Sequence, residues 1–332
     1  MSVKDDIAQI LEQRRGEFVS GQELADMIGC TRGAVWKAVR ALQQQGFGID
    51  AVTNKGYCLE ADCDVISSAG VKKYLDKTLS GIRIDVLECV DSTNNVIKDY
   101  AAKGEAEGTV VIAKEQSGGK GRLGRSFFSP QGTGLYLSIL LRPQMPVSRA
   151  VRATTCAALA VCEAIEKATG RTPGIKWVND VYLDGKKVCG ILTEASLSVE
   201  SGGVDHAVVG IGVNVYEPKG GFPEPIKDIA CAVSKTKTAD LKNKLAAYII
   251  TGFMRYYKDI EKGGFREDYG RRLIWKGERI YLISGGTKTA CRINDVDEEC
   301  RLDVVLENGE HRLISSGEIS IRRADEQPAE KM

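Results

Sequence analysis

A run of glycines and cations, Gln116-Ser117-Gly118-Gly119-Lys120-Gly121-Arg122-Leu123-Gly124-Arg125, lies between two apolar stretches, Val110 to Ala113 and Leu135 to Leu141. A segment built this way lets backbone N–H groups and two or three cations close over an anion, of which phosphate is the commonest. Gly119, Gly121 and Gly124 spell G-x-G-x-x-G, but the dinucleotide fingerprint needs a helix to open at the last glycine. Here Ser129-Pro130-Gln131-Gly132 and then a strand follow. No G-K-[ST] is present for a phosphate loop of the Walker type, and no H-R-D or D-F-G for a kinase. What remains is a mobile basic loop that closes over an anion.

Three further clusters carry chemistry. Asp91-Ser92-Thr93-Asn94 offers short hydroxyl and amide groups at a helix start, suited to a small polar head group such as a ureido or amide ring, or serving as a plain helix cap. Lys176-Trp177-Val178-Asn179-Asp180, with Lys187 beyond the turn at Asp184-Gly185, puts cations, a stacking surface and a carboxylate in one short segment. Lys187 reads equally as an exposed edge-strand lysine. Gly210 and Gly212, in the apolar run that ends at Asn214, imply close approach by a ligand or a neighbouring element, or a bulge.

The elements that position these clusters read as follows: strand (Ile84 to Cys89), helix from Ser92, strand (Thr109 to Ala113), basic loop, strand, and long helix (Arg149 to Ala168). A strand (Ile175 to Val178), a hairpin (Tyr182 to Thr193) and a strand (Ala207 to Val213) complete the central region. Short connections between successive strands predict a mixed, largely antiparallel sheet with helices packed on it, an α+β plan. A helical stretch (Leu241 to Lys262) follows. From about 271, short alternating strands with turns at Gly285-Gly286, Asn294-Asp295 and Asn308-Gly309 predict a small SH3-like barrel. The polar end from Ala324 reads as a disordered tail.

The first sixty residues read as a winged helix-turn-helix. Ile7, Ile10 and Leu11 make one helical stripe; Leu24, Ala25 and Ile28 make a second, capped by Ser20 and stopped at Gly29. Thr31 caps a third helix with Val35, Val39 and Leu42 on one side and Arg32, Trp36, Lys37 and Arg40 elsewhere. That helix carries no acid. Thr53-Asn54-Lys55-Gly56 then turns a β-hairpin wing. The candidate DNA-binding residues are therefore Thr31, Arg32, Trp36, Lys37, Arg40 and Lys55. A small helical interaction module is the alternative, and a single DNA reader of this size needs a two-fold dimer.

Composition bounds the rest. The 332 residues are 43% hydrophobic and 27% charged, room for two or three domains. The formal net charge of +1 leaves any DNA binding local. Ten scattered cysteines without a C-x-x-C read as reduced core thiols of a cytoplasmic protein. Two histidines leave little for a zinc site or a histidine triad. The start reads as lacking a cleavable signal, and no apolar run has the length of a membrane span.

Individually these motifs are weak, but their order is specific. D-S-T-N, G-K-G-R-L-G-R, K-W-V-N-D, G-K-K-V-C-G-I-L-T-E and G-I-G-V-N, behind a winged helix, resemble the biotin protein ligase family across essentially the whole chain. The likeness is to its bifunctional type, which also represses a biotin operon. Lys120 stands where the family usually has Arg, and Val178 where proline is common.

The resemblance implies a multidomain α+β fold: a winged helix over 1–62, a class II synthetase-like ligase domain over 63–270, an SH3-like domain over 271–325 and a tail over 326–332. It implies formation of biotinyl-5′-adenylate from biotin and ATP with magnesium, then transfer to a lysine of a biotin carboxyl carrier protein, and binding of operator DNA as a homodimer. By motif match, Ser92, Thr93, Asn94, Gln116, Lys120, Gly121, Arg122 and Lys187 meet biotin. Arg122, Arg125, Trp177 and Asn214 meet the nucleotide, and Arg122, Lys187 and Asp180 act in catalysis; no metal ligand is assigned. A repressor that has lost catalysis and a lipoate-ligase relative are the alternatives.

Overall fold

The computed structural model describes residues 2–143, 150–197, 204–284, 287–315 and 320–323. The expected turn at Gly285-Gly286, the start of the long helix at Arg149 and the tail from Ala324 lie outside them.

Helix caps set the N-terminal unit. α1 (Val3–Gln13) starts on Ser2, whose side chain accepts from Asp5 N. α2 (Gly21–Ile28) starts on Ser20 and ends on left-handed Gly29 at φ 72°. α3 (Arg32–Gln44) starts on Thr31, whose hydroxyl accepts from Ala34 N at 3.2 Å. β1 (Ile49–Val52) and β2 (Gly56–Leu59) pair antiparallel as the wing. Ile7, Leu11, Leu24, Val35, Val39 and Leu42 form its core, each at most 2% exposed. Winged helix-turn-helix is therefore the observed fold.

The central sheet has seven strands in the order β3-β4-β5-β9-β8-β7-β6. They are β3 (Ile84–Val90), β4 (Val110–Gln116), β5 (Gly134–Leu141), β6 (Gly174–Lys176), β7 (Asp180–Leu183), β8 (Lys186–Leu197) and β9 (Val204–Asn214). Only β3 and β4 run parallel; every other neighbouring pair is antiparallel. The mixed sheet matches the reading from the sequence.

The two faces of this sheet part by residue parity. Leu135, Leu137, Ile139, Val209, Ile211 and Val213 point to one face and join the large core with α6 (Ala150–Thr169) and α7 (Leu241–Lys258). Val111, Leu140 and Val208 point to the other, where α5 (Thr93–Ala102) lays Ile97 and Ala101 on them. α5 has ten residues and covers only part of that face. Ser138, Gly190, Leu192, Glu194, Gly210 and Gly212 share its parity and line the stretch beside the helix N-terminus.

Two helices have no counterpart in the sequence reading: α4 (Ser68–Tyr74) and α8 (Arg266–Arg272). Each is only seven residues long, too short for a clear 3.6-residue pattern. α4 packs on α1 and α7 and so joins the winged helix to the central domain. At this junction Arg15 Nη2 donates to Glu12 Oε1 at 2.7 Å and to Asp240 Oδ1 at 3.1 Å, and Tyr74 OH donates to Asp240 Oδ2 at 2.6 Å.

The C-terminal strands β10 (Arg279–Ser284), β11 (Thr287–Val296), β12 (Leu302–Leu306), β13 (His311–Ile314) and β14 (Ser320–Arg323) form an antiparallel sheet ordered β13-β12-β11-β10-β14. No helix among the described residues is long and apolar enough to cross a membrane.

Candidate active site and nucleic-acid face

The four motif clusters converge. A cavity of about 50 Å³ on the α5 face is lined by Ser92, Thr93, Asn94, Gln116, Lys120, Gly121, Arg122 and Lys187, with Phe127, Asn179 and the backbone of Gly190, Gly210 and Gly212. A wider groove of about 590 Å³ continues along the loop past Arg122, Arg125, Asn179 and Glu194. The eight residues expected around an acyl ring thus border one cavity, and Arg125 borders the groove.

Asp91-Ser92-Thr93-Asn94 is more than a helix cap. Ser92 occupies the cap position of α5, yet its side chain makes no capping bond. Thr93 instead gives both its N–H (2.9 Å) and its hydroxyl (3.1 Å) to Gln116 Oε1, at the end of β4. Gln116 Nε2 donates to Ser129 Oγ at 3.0 Å, and Ser129 donates to the Phe127 carbonyl at 2.9 Å. One chain of bonds therefore ties the start of α5 to the far side of the glycine-rich loop. Asp91, with hydrogen bonds from Asn95 and the Ser92 N–H, is held below the ordinary carboxylate range.

The loop closes on itself. Gly121 N donates to Arg125 O at 2.7 Å and Phe127 N to Gly119 O at 2.8 Å, with Leu123 at φ 57° and Gly124 at φ 71°. A side chain at Gly119 would come within 2.4 Å of the Phe127 carbonyl. Lys120 Nζ donates to Asn95 Oδ1 at 2.7 Å, and Arg122 Nη1 to Asn179 Oδ1 at 3.0 Å. Burial and the neighbouring Arg125 cation lower the Arg122 pKa against the pull of Asp180, which leaves a partly desolvated cation aimed at the cavity.

Lys187 Nζ stands 2.6 Å from Asp180 Oδ1. Lys187 is therefore no gatekeeper on the edge of the sheet; it lines the cavity and pairs with the motif carboxylate. Gly210 and Gly212 are the close-approach positions their spacing implied. A β-carbon at Gly210 would lie 2.2 Å from Asn94 Oδ1, and one at Gly212 2.5 Å from the Phe127 ring.

Trp177 and Asn214 border neither the cavity nor the groove. Trp177 is 5% exposed, and its indole N–H donates to Cys300 O at 3.0 Å, in the C-terminal unit. Asn214 Nδ2 donates to Cys231 O at 3.3 Å, beside the Lys187–Ala230 bridge. The motif that holds Trp177 thus faces two ways, with Asn179 toward the cavity and the indole toward the last domain.

Sequence reading missed Phe127, Ser138, Lys98 and Glu194. Ser138 had a signal, a lone hydroxyl inside the apolar run of β5; Glu194 ended a quoted motif without being assigned a task. The other two had none, because their place depends on how α5 and the loop meet the sheet.

On the winged helix, Arg32, Trp36, Lys37 and Arg40 project from α3 and Lys55 from the wing, all exposed. The Arg40 guanidinium lies 5.6 Å from the Trp36 ring centre and Lys55 Nζ 5.7 Å from that of Phe18. Thr31 is occupied in capping.

A three-part fold, with a cavity lined by cations and amides in the central domain and a winged helix beside it, defines a ligand-binding domain joined to a DNA-reader fold. The profile of the Biotin/lipoate A/B protein ligase family matches residues 86–214, an HTH domain matches 3–58, and the Biotin protein ligase C terminal domain matches 277–322. The chain is 32% identical over 292 residues to the bifunctional ligase/repressor BirA of Bacillus spizizenii, covering 88% of this chain and 87% of that protein. It is 32% identical over 317 residues to the bifunctional ligase/repressor BirA of Escherichia coli K12, covering 93% and 95%. A solved biotin protein ligase from Aquifex aeolicus, in complex with biotin and ATP, superposes at a TM-score of 0.59 with 30% identity, over 73% of this chain and 99% of that one. The chain belongs to the biotin protein ligase family.

Proposed function

We infer that this protein is an ATP-dependent biotin protein ligase that also acts as a biotin-responsive repressor. The observation that carries the reading is the single cavity bordered by the D-S-T-N, glycine-loop and Lys187 segments, in a chain that matches bifunctional relatives over most of its length.

In this reading the ring of biotin lies against Ser92, Thr93, Asn94 and Gln116, under the backbone of Lys120 to Arg122. Its carboxylate oxygen attacks the α-phosphorus of ATP, the bond to the bridging oxygen breaks, and pyrophosphate leaves. Charge gathers on the α-phosphate oxygens, where Lys187 and Arg122 are placed to stabilise it. The nucleotide extends into the groove beside Arg122 and Arg125. Asn214, next to the Lys187–Ala230 bridge, is the neighbouring amide for adenine, with Trp177 packing near it while its indole N–H ties the segment to the C-terminal unit. Magnesium enters with the ATP phosphates.

Transfer follows when the ε-amine of a carrier lysine attacks the acyl carbon and AMP leaves. As Lys187 turns to the phosphate it gives up Asp180, and that carboxylate becomes free to take the proton of the incoming amine. The carrier is a biotin carboxyl carrier protein. The DNA-binding form is a homodimer that presents two α3 helices, with Arg32, Trp36, Lys37, Arg40 and Lys55 against operator DNA; the setting is cytoplasmic.

The test is pyrophosphate release and carrier biotinylation by the purified chain, omitting biotin, ATP or magnesium in turn. Both signals require all three. Pyrophosphate release with lipoate or octanoate but not with biotin overturns the reading in favour of a lipoate-type ligase.

A further inference from the structure

Glu194 lies on β8, on the sheet face that carries the cavity. Its Oε2 accepts from Asn94 Nδ2 at 2.7 Å and its Oε1 from Lys98 Nζ at 2.6 Å. Asn94 and Lys98 are one turn apart on α5, so a single carboxylate grips one side of the helix at its first turn. An acid on the wall of a groove lined by Lys120, Arg122 and Arg125 opposes anion binding unless its charge is answered. Lys98 answers it. Burial pushes the Glu194 carboxyl up, but the hydrogen bonds from Lys98 and Asn94 outweigh this and hold it below its ordinary range, so it stays an acceptor only.

That fixed polarity decides how Asn94 is turned. Asn94 is 3% exposed, so both ends of its amide need partners inside the protein. The acceptor-only carboxylate takes the NH₂ end, which leaves the oxygen to Ser138 Oγ at 2.6 Å; a flipped amide would set oxygen against carboxylate. Ser138 Oγ is also 2.7 Å from Thr93 Oγ1, but its one hydrogen goes to Asn94, and Gln116 Oε1 is held by the Thr93 N–H at 2.9 Å. The donor and acceptor pattern of Asn94 and Ser138 is thereby set from Glu194.

We propose that Glu194 is a positioning residue for the acyl-ring pocket, orienting Asn94 so that the pocket matches a neutral cyclic urea. This rests on the ligase reading above. Glu194 acts through Asn94 and touches no reacting atom.

The experiment compares the full-length wild type with E194A, E194Q and K98M. It measures biotin affinity by titration, biotin and ATP KM and kcat by pyrophosphate release, and thermal stability. Removing the shorter of the two acceptors of the buried Asn94 amide, which leaves only Leu192 O at 3.5 Å, weakens biotin binding by about tenfold or more in E194A. ATP KM, kcat and melting temperature hold near wild type. E194Q restores most of the loss because its carbonyl still accepts from Asn94; K98M likewise keeps biotin affinity, but raises the ATP KM because the Glu194 charge is then unanswered. Unchanged biotin affinity in E194A overturns the proposal and leaves Glu194 as the surface partner of Lys98. A joint fall of melting temperature, kcat and both KM-derived specificities overturns it as well, in favour of general support of the fold. Failure of the ligase reading is seen separately, as wild type that binds biotin without releasing pyrophosphate; the affinity comparison then still decides the role of Glu194.

Discussion

Lys187 and Arg122 reach the same cavity but are held differently, and this separates their expected effects. Lys187 is paired with Asp180 at 2.6 Å and lines the cavity, where a phosphate oxygen can replace the carboxylate as its partner. Replacing Lys187 with Met removes a cation facing developing charge, worth about 3 kcal/mol, so adenylate synthesis falls by roughly a hundredfold. Pyrophosphate release measures it, and near-normal turnover would remove Lys187 from the reaction. Arg122 instead anchors the loop, through Asn179 at 3.0 Å, and Asn179 is itself fixed by donating to Ile191 O at 3.0 Å. Arg122→Gly therefore loosens retention more than synthesis. Free adenylate escapes and labels bystander lysines, which a blot of added carrier-free protein records; tight retention in that variant would assign closure to another residue.

Parity along β5, β8 and β9 explains why the site sits where it does and how much of it the chain reveals on reading. Alternating residues send Leu137, Ile191 and Ile211 into the core and Ser138, Gly190 and Gly210 to the ligand face. A methyl at Gly210 would collide with the Asn94 amide, so Gly210→Ala is expected to weaken biotin binding by about tenfold, the range for an unmade buried hydrogen bond. Titration checks this, and unchanged affinity would mean that Asn94 moves freely. The caps Ser20 and Thr31, the stop at Gly29 and the period-2 strands were legible because they are local. The close-approach glycines were legible as a need for space, though not as to what fills it. Phe127 over Gly212 and Lys98 against Glu194 were not, since they depend on how the loop and α5 meet strands far along the chain. The bond from the Trp177 indole to Cys300 O was not legible for the same reason: its segment contacts two domains, and composition cannot say which side chain faces which.

Across the molecule, the winged helix is joined to the ligase domain through Arg15, Glu12, Tyr74 and Asp240, with Glu12 and Asp240 nearly buried at 2% and 3% exposure. A buried network of this kind gives little net stability but fixes orientation, because a lone charge left behind is costly. We expect the adenylate to promote self-association and raise affinity for the protein's own upstream DNA, by the same factor that DNA raises adenylate retention. Arg15→Met weakens this link while leaving pyrophosphate release near wild type. Sedimentation with labelled DNA measures it, and adenylate-independent assembly and DNA affinity would separate the two activities. Underneath lies the claim that this cavity makes and keeps biotinyl-adenylate. The most direct measurement is mass analysis of what remains bound after the chain is incubated with ATP, magnesium and an equal mixture of biotin and lipoate. The account predicts biotinyl-adenylate alone; lipoyl-adenylate, or no adenylate at all, would contradict it.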